Sequence, residues 1–113
     1  MSKHNELGKD GEILAVQFLK NKGHEILEIN FRIGHKEIDI ISKAAGFLVF
    51  SEIKTRSWLG FGFLEEAVNK RKQAFLKEAA ASYLGEHPEF EYARFDVISI
   101  IITNWKIREI RHF

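Results

Sequence analysis

The sequence contains no cysteine and only one proline among its 113 residues. The absence of cysteine excludes a disulfide framework and any metal site built on thiolates. The opening segment "MSKHNELGKDGE" has no apolar core typical of a secretion signal, and the apolar runs are far shorter than the roughly 20 residues that span a bilayer. We therefore expect a cytoplasmic protein that does not associate with membranes.

An excess of charge of one sign is also absent, since the formal net charge is +1. Overall charge therefore neither predicts nor excludes a nucleic-acid partner, and any basic binding surface must be local. With 45% hydrophobic and 29% charged residues, the chain fits one compact domain over residues 1–113. The five histidines show no paired ligand spacing, so a zinc site is not expected.

Short β-branched runs alternate with two longer segments of helical periodicity. Apolar residues recur at helical spacing from about Leu7 to Lys22, with Gly23 as a stop signal, and again over residues 64–85. Five strands are predicted, in "EILEINF", "KEIDIIS", "GFLVFSEIK", "ARFDVISIII" and "WKIREIRHF". The sequence thus predicts an α/β fold in the order α-β-β-β-α-β-β, with helices flanking a mixed five-stranded sheet.

The segment "FLVFSEIKTR" carries an acid and a base directly after four apolar residues of a predicted strand. Side chains alternate along a strand, so Glu52 and Lys54 point to one face. If the preceding hairpin turns on Ala45 and Gly46, the register places Asp39 opposite Glu52. Opposed carboxylates are destabilising unless a positive charge lies between them, and a hard cation such as Mg²⁺ prefers oxygen ligands of this kind. The pair therefore predicts a divalent metal site.

A third carboxylate lies on the first predicted helix. Glu12 precedes Leu19 by two helical turns, which places it along the apolar face of the helix and not toward water. Gly8 and Gly11 beside it remove bulk and let the helix lie close to the sheet. A carboxylate on a buried face needs a metal, a metal-bound water or a lysine nearby, and Lys54 is the candidate lysine.

Several short motifs are together similar to those of the PD-(D/E)XK nuclease superfamily. They are Gly8 with Gly11-Glu12, "NFR" at 30–32, "EID" at 37–39, "EIK" at 52–54, "FGF", "AVNKRKQ", "RFDVI" at 94–98 and the closing "RHF". Within the superfamily, the chain resembles the YraN-like family of uncharacterised bacterial proteins, which is related in fold to archaeal Holliday-junction resolvases. The resemblance runs nearly end to end. One departure is Lys36, which stands where many relatives carry glycine.

This resemblance implies a restriction endonuclease-like core and a metal-dependent phosphodiester hydrolase. It assigns Asp39 and Glu52 as ligands of Mg²⁺ or Mn²⁺, and Glu12 as an additional ligand or a holder of water. It assigns Lys54 to position the attacking water, and a nearby ammonium group also stabilises developing negative charge. Lysine can act as a base only when it is deprotonated, so the identity of the general base stays open.

Basic residues near these motifs are candidates for contact with phosphate groups. They are Arg56 and three residues of the second predicted helix, Lys70, Arg71 and Lys72. Lys72 is the favoured contact because it stands at the family's lysine. The competing explanation is that the basic helix face is simply solvated, as such faces more often are. Aromatic residues in "SWLGFGF" either stack on bases or pack under their loop. The resemblance to resolvases indicates DNA, including branched DNA, in preference to RNA.

Simpler explanations compete with a metal-dependent enzyme. If that face of the sheet is exposed to solvent, Asp39 and Glu52 need no metal. Lys54 would then neutralise them in an ordinary surface ion pair. Arg94 and Asp96 share a strand face and are expected to pair for structural reasons. Three functions therefore stay open: a nuclease, a nucleic-acid-binding module that retains the site without turnover, and a protein-interaction domain. A resolvase needs two active sites on opposed strands, which favours a homodimer.

Overall fold

The computed structural model describes residues 3–34, 36–57, 70–90, 92–103 and 106–113. The elements are α1 (Lys3–Asn21), β1 (Glu25–Ile33), β2 (Lys36–Ala44), β3 (Phe47–Ser57), α2 (Lys70–Glu86), β4 (Tyr92–Thr103) and β5 (Lys106–His112). The predicted α/β class and the predicted order of elements are confirmed. Neither helix of this described part is long and apolar enough to cross a membrane.

The five strands form one mixed sheet in the spatial order β1-β2-β3-β4-β5. β3 and β4 run parallel, and the other neighbouring pairs run antiparallel. A parallel pair needs a crossover connection, and α2 belongs to the connection between β3 and β4. This arrangement is that of a restriction endonuclease-like core, as predicted.

The hairpin between β2 and β3 turns on the two residues that the sequence predicts. Ala45 and Gly46 have positive φ angles of 50° and 84°, as a two-residue turn between antiparallel strands requires. The register next to this turn is as predicted, from the pair of Ala44 with Phe47 to the pair of Ile40 with Ser51. The pairing ends there, so the ladder lacks the cross-strand pair of Asp39 with Glu52 that the sequence predicts.

One helix covers each face of the sheet. The core under α2 consists of Ile38, Ile41, Leu48, Phe50, Phe75, Leu76, Ala79, Ala80 and Tyr83. The core under α1 consists of Ala15, Leu19, Ile40, Ile98, Ile100 and Ile102. The helical periodicity predicted from the sequence is confirmed at Ala15 and Leu19 of α1 and at Phe75, Ala79 and Tyr83 of α2, which lie in these cores. Residues 64–69 of the second predicted helix lie outside the described part of the chain.

The C-terminus of α1 lies at the glycine that the sequence marks as a stop. Gly23 has a φ of 92°, and its N–H donates to the carbonyl oxygen of Lys20 at 3.0 Å, while the N–H of His24 donates to that of Leu19 at 2.9 Å. These two bonds constitute a Schellman motif. The helix begins at Lys3, earlier than predicted, because its first turn is polar and carries no periodic apolar signal.

α1 lies very close to β3 at Gly11. A Cβ atom at this position would lie 1.8 Å from Oγ1 and 2.9 Å from Cβ of Thr55. Only glycine therefore permits the observed approach, as the sequence predicts. The approach brings the next residue, Glu12, to the sheet.

The alternation of side chains along β2 is interrupted at Asp39. Ile38 and Ile41 belong to the core under α2, whereas Ile40 belongs to the core under α1. Strict alternation would place Ile38 and Ile40 on the same side. On the neighbouring strand, Asn30 has a φ of 53°, a conformation that is uncommon for a residue other than glycine. Both strands therefore depart from regular geometry at the same level of the sheet.

Candidate metal centre

Three carboxylates converge where β2 separates from β3. Glu12 belongs to α1, and Glu37 and Asp39 belong to β2. One carboxylate oxygen of each lies within 4.8 Å of those of the other two, and all three residues are half-buried. We call this group the carboxylate cluster. Like charges at such a separation repel one another, so the cluster requires compensating donors or a cation.

Two residues of β1 contact the glutamates of the carboxylate cluster. The side-chain amide of Asn30 has its nitrogen toward the two glutamates. This nitrogen donates to Oε1 of Glu12 at 3.2 Å and to Oε1 of Glu37 at 2.7 Å. This amide orientation follows from hydrogen bonding, because the reverse one sets the amide oxygen against carboxylate oxygens. Nε of Arg32 lies 3.7 Å from Oε2 of Glu37. Both glutamates are therefore held from the edge strand.

Asp39 is fixed by β3. Its Oδ2 accepts a hydrogen bond from the backbone N–H of Ile53 at 2.8 Å. This N–H points toward β2, where a continued ladder would offer it a main-chain carbonyl. Because the ladder ends at Ile40, the carboxylate takes the place of that carbonyl and satisfies the donor.

Glu52 and Lys54 form an ion pair on β3, with Nζ of Lys54 at 3.5 Å from Oε1 of Glu52. β3 keeps its register with β4 as far as Ser57, so alternation places both side chains on the side of α2 and Ile53 on the side of α1. The side chain of Glu52 is only 11% exposed. A carboxylate this buried requires a positive partner, and Lys54 is one.

The structure thus brings together Glu12 and Asp39 from the four predicted catalytic residues and adds Glu37. Glu52 is not a member of the carboxylate cluster, and its role as a ligand, like the role of Lys54 toward water, stays a prediction. The sequence holds only a partial signal for Glu37. It lies two residues before Asp39 in "EID", where regular alternation would place both on one face, but the alternation along β2 is interrupted at Asp39.

The chemistry of the carboxylate cluster suits a hard divalent cation. Mg²⁺ and Mn²⁺ prefer carboxylate oxygens, and Glu12, Glu37 and Asp39 supply three such groups. Asn30 supplies neutral donors only. The side chain of Arg32 is 76% exposed, so solvent screens its charge and its compensation is weak.

The predicted nucleic-acid contacts are described only in part. Arg71 is exposed on α2. The side chains of Arg56, Lys70 and Lys72 lie outside the described part of the structure, as do residues 58–63 of the aromatic segment. Their contacts with nucleic acid stay predictions.

A second polar group lies at the C-terminal end of α1. Arg94 donates to both oxygens of Asp96 at 2.8 and 3.0 Å, the pairing that the sequence predicts, and Nε2 of His112 lies 2.5 Å from Oδ2 of Asp96. Nδ1 of His24 lies 2.9 Å from Oγ of Ser42. Burial, assisted by the positive charge of Arg94, lowers the pKa of His24 below its ordinary value. These contacts join β4 to β5, and join the connection between α1 and β1 to β2. We interpret them as structural.

Comparison with known proteins gives the same family throughout. Residues 11–100 match the model of the uncharacterised protein family UPF0102. A UPF0102 protein of Dictyoglomus thermophilum is 41% identical over 101 residues, which cover 88% of this chain and 86% of that protein. A UPF0102 protein of Christiangramia forsetii is 44% identical over 101 residues, covering 89% of this chain and 85% of the relative.

A third relative extends the match to the whole chain. The UPF0102 protein FP2501 of Flavobacterium psychrophilum is 39% identical over 113 residues, which cover 100% of this chain and 94% of that protein. The YraN-like resemblance inferred from the motifs is thereby confirmed. The chain belongs to the uncharacterised protein family UPF0102.

Proposed function

We propose that this protein is a metal-dependent nuclease that hydrolyses phosphodiester bonds of DNA. The observation that carries the proposal is the carboxylate cluster, in which a helix and a strand place three acidic groups within 4.8 Å of one another. Such proximity costs free energy unless hydrogen-bond donors or positive charges compensate it, and a divalent cation is one such charge. The cluster also lies at an interruption of the sheet, a feature that often directs functional side chains.

The proposed cation is Mg²⁺ or Mn²⁺. Glu12, Glu37 and Asp39 are the groups that would hold it, since together they form an all-oxygen donor set. Glu52 is an additional proposed ligand on the adjoining strand. When bound, a cation of this kind polarises a phosphoryl oxygen and increases the acidity of a bound water.

Lys54 is the proposed cationic partner of the substrate. Its side chain is 30% exposed, and its ion pair with Glu52 limits the positions of the ammonium group. An ammonium group held near the scissile phosphate stabilises the negative charge that develops in the transition state, and its N–H groups orient water. In this proposal Glu52 of "EIK" both fixes the position of Lys54 and is the additional ligand, while "EID" supplies two members of the carboxylate cluster.

Branched DNA is the proposed class of substrate. The motifs resemble those of junction resolvases. Arg71, together with Lys70, Lys72 and Arg56, would contact backbone phosphates and so fix the position of the substrate. A symmetric homodimer would place two such sites on opposed strands.

A cleavage screen tests this proposal. Duplex, single-stranded, flap and four-way DNA, with RNA for comparison, are incubated with wild type in millimolar Mg²⁺ or Mn²⁺. Asp39→Asn is the matched control, because it removes one charge and keeps the size of the side chain. We expect wild type to cut branched DNA and the control to be inactive.

Two other outcomes would point to other functions. Binding of nucleic acid without cleavage would support a binding module that retains the acidic residues. Neither binding nor cleavage would support a protein-interaction domain.

A further inference from the structure

The motif "NFR" at residues 30–32 has no role in the proposed chemistry, yet two of its side chains contact the carboxylate cluster. Asn30 bridges Glu12 and Glu37, with its nitrogen 3.2 Å from the first and 2.7 Å from the second. Arg32 contacts only Glu37, at 3.7 Å. Asn30 is therefore the only one of these two that links α1 to β2.

The backbone of Asn30 is held in an unfavourable conformation. Within the described part of the chain, Asn30 and Ala45 have positive φ and are not glycine. Ala45 lies in a two-residue hairpin turn that demands this geometry. Asn30 lies inside β1, between Ile29 and Phe31, which pair with β2 on either side of Asp39. Strain of this kind persists only where the surroundings impose it, and it is frequent at functional sites.

The chemistry of the bridge suits a site that must stay negative. A carboxamide nitrogen offers two N–H donors and carries no charge, so it brings two carboxylates together without neutralising them. A lysine or arginine in the same place would compete with a metal cation for the glutamates. The side chain of Arg32 is 76% exposed, so its contact with Glu37 contributes little.

We infer that Asn30 is a positioning residue that joins Glu12 of α1 to Glu37 of β2 and thereby sets the affinity of the carboxylate cluster for a divalent cation. This inference rests on the proposed function, because it assumes that the cluster binds metal. Residues that orient metal ligands typically change metal affinity by about 10- to 100-fold when they are removed.

The first test is made without metal. Asn30→Gly deletes the amide and keeps a residue that tolerates positive φ, and it is combined with Glu37→Ala in a double-mutant cycle of urea unfolding in EDTA. Each single variant should raise the unfolding equilibrium constant by some factor relative to wild type. We expect the factor for the double variant to be at least about threefold smaller than the product of the two single factors. Additive effects would overturn the bridge.

The second test measures the Mn²⁺ concentration that gives half of the maximal thermal stabilisation. For Asn30→Gly we expect it to rise about tenfold. Arg111→Gln is the control for loss of an exposed contact, since it removes an ion pair with Glu109 on β5. Ala45→Gly is the control for relief of positive φ away from the cluster, and both variants should keep the wild-type value. A coupled cycle with unchanged Mn²⁺ affinity would reduce Asn30 to a structural residue and overturn the inference.

The same titration distinguishes failure of the inference from failure of the proposed function. If wild type shows no Mn²⁺-dependent stabilisation, the proposal of a metal-dependent nuclease is refuted. The inference that Asn30 sets metal affinity is then refuted as well. If wild type responds and Asn30→Gly responds identically, only the inference is refuted.

Discussion

The backbone N–H of Ile53 donates a 2.8 Å hydrogen bond to Oδ2 of Asp39. This bond crosses the point at which β2 leaves β3, since the paired positions of these strands end at Ile40. It anchors one carboxylate of the cluster to the backbone between Glu52 and Lys54. The strand that carries the acid and base of "EIK" therefore also orients the aspartate of "EID".

Asp39→Asn should remove most of the metal-dependent stabilisation of the fold. The asparagine carbonyl still accepts from Ile53, so the change removes charge and leaves the hydrogen bond. At a cation concentration ten times Kd, wild type should gain about 1.4 kcal/mol of unfolding free energy. Metal-free stability of the variant should equal or exceed that of wild type, because repulsion inside the cluster falls. Thermal unfolding with and without Mg²⁺ measures both effects, and an unchanged response would place the cation elsewhere.

Glu37→Gln and Glu52→Gln should differ in their effect on metal affinity. Glu37 lies in the carboxylate cluster with Glu12, whereas Glu52 is paired with Lys54. We expect Glu37→Gln to weaken Mn²⁺ binding by at least about tenfold in calorimetric titration, in line with the loss of a ligand or its orientation. A larger loss for Glu52→Gln would show that "EIK" and not Glu37 provides the stronger ligand.

Lys54→Ala and Lys72→Ala should separate catalysis from binding. The ammonium of Lys54 is held beside Glu52, so its loss should reduce kcat by about a hundredfold or more and change DNA affinity only modestly. Lys72 is predicted from the sequence to meet a backbone phosphate, so its loss should weaken binding and reduce the salt slope by about one. For each variant, kcat and the Kd for DNA are measured at one ionic strength on a substrate that wild type cuts. Equal losses of kcat and affinity in the two variants would contradict these roles.

Gly11→Ala should destabilise the protein because the added Cβ would lie 1.8 Å from Oγ1 of Thr55. Overpacking of this kind costs about 1–3 kcal/mol. Gly85→Ala is the matched control: it lies in α2 with open space around its Cβ position, so it should stabilise by up to about 1 kcal/mol. Urea unfolding compares the two. Thr55→Ala should recover part of the loss in the Gly11 variant, and equal effects of the two glycine changes would refute the close contact.

Stability should fall as the pH drops below about 6.5, and His24 should account for part of the loss. Burial lowers the pKa of His24 from its ordinary value of 6.5. The unfolded chain therefore binds a proton at this site more readily than the folded chain, and acidification favours unfolding. His24→Gln should show a smaller difference between unfolding free energies at about pH 7.5 and pH 5.5 than wild type. An equal difference would assign the effect to other groups.

The parts of the fold that local rules determine could be predicted from the sequence. The turn at Ala45 and Gly46 fixes the register of β2 and β3, because a two-residue hairpin leaves no freedom in the count. Gly23 marks the end of α1 through its left-handed backbone. The pairing of Arg94 with Asp96 follows from their spacing of two along a strand.

The membership of the carboxylate cluster could not be predicted in full, because it depends on a tertiary irregularity. Alternation of side chains along β2 is interrupted at Asp39, beside Asn30 of β1, whose backbone is in the left-handed region. No glycine or proline in the sequence at this point indicates the interruption. Glu37 joins the cluster on this account, together with Glu12, which Gly11 brings close to the sheet. A strand pattern read from one sequence assumes regular pleating and cannot contain this information.

The most direct test of a divalent metal site in the carboxylate cluster is paramagnetic broadening of backbone amide signals by substoichiometric Mn²⁺ in NMR spectra. We predict that the signals of Glu12, Glu37 and Asp39 broaden first, that the signal of Phe47 at the other end of β3 is spared, and that Asp39→Asn abolishes the selectivity. Broadening centred on the group around Asp96 and His112, or no selective broadening at all, would contradict the account.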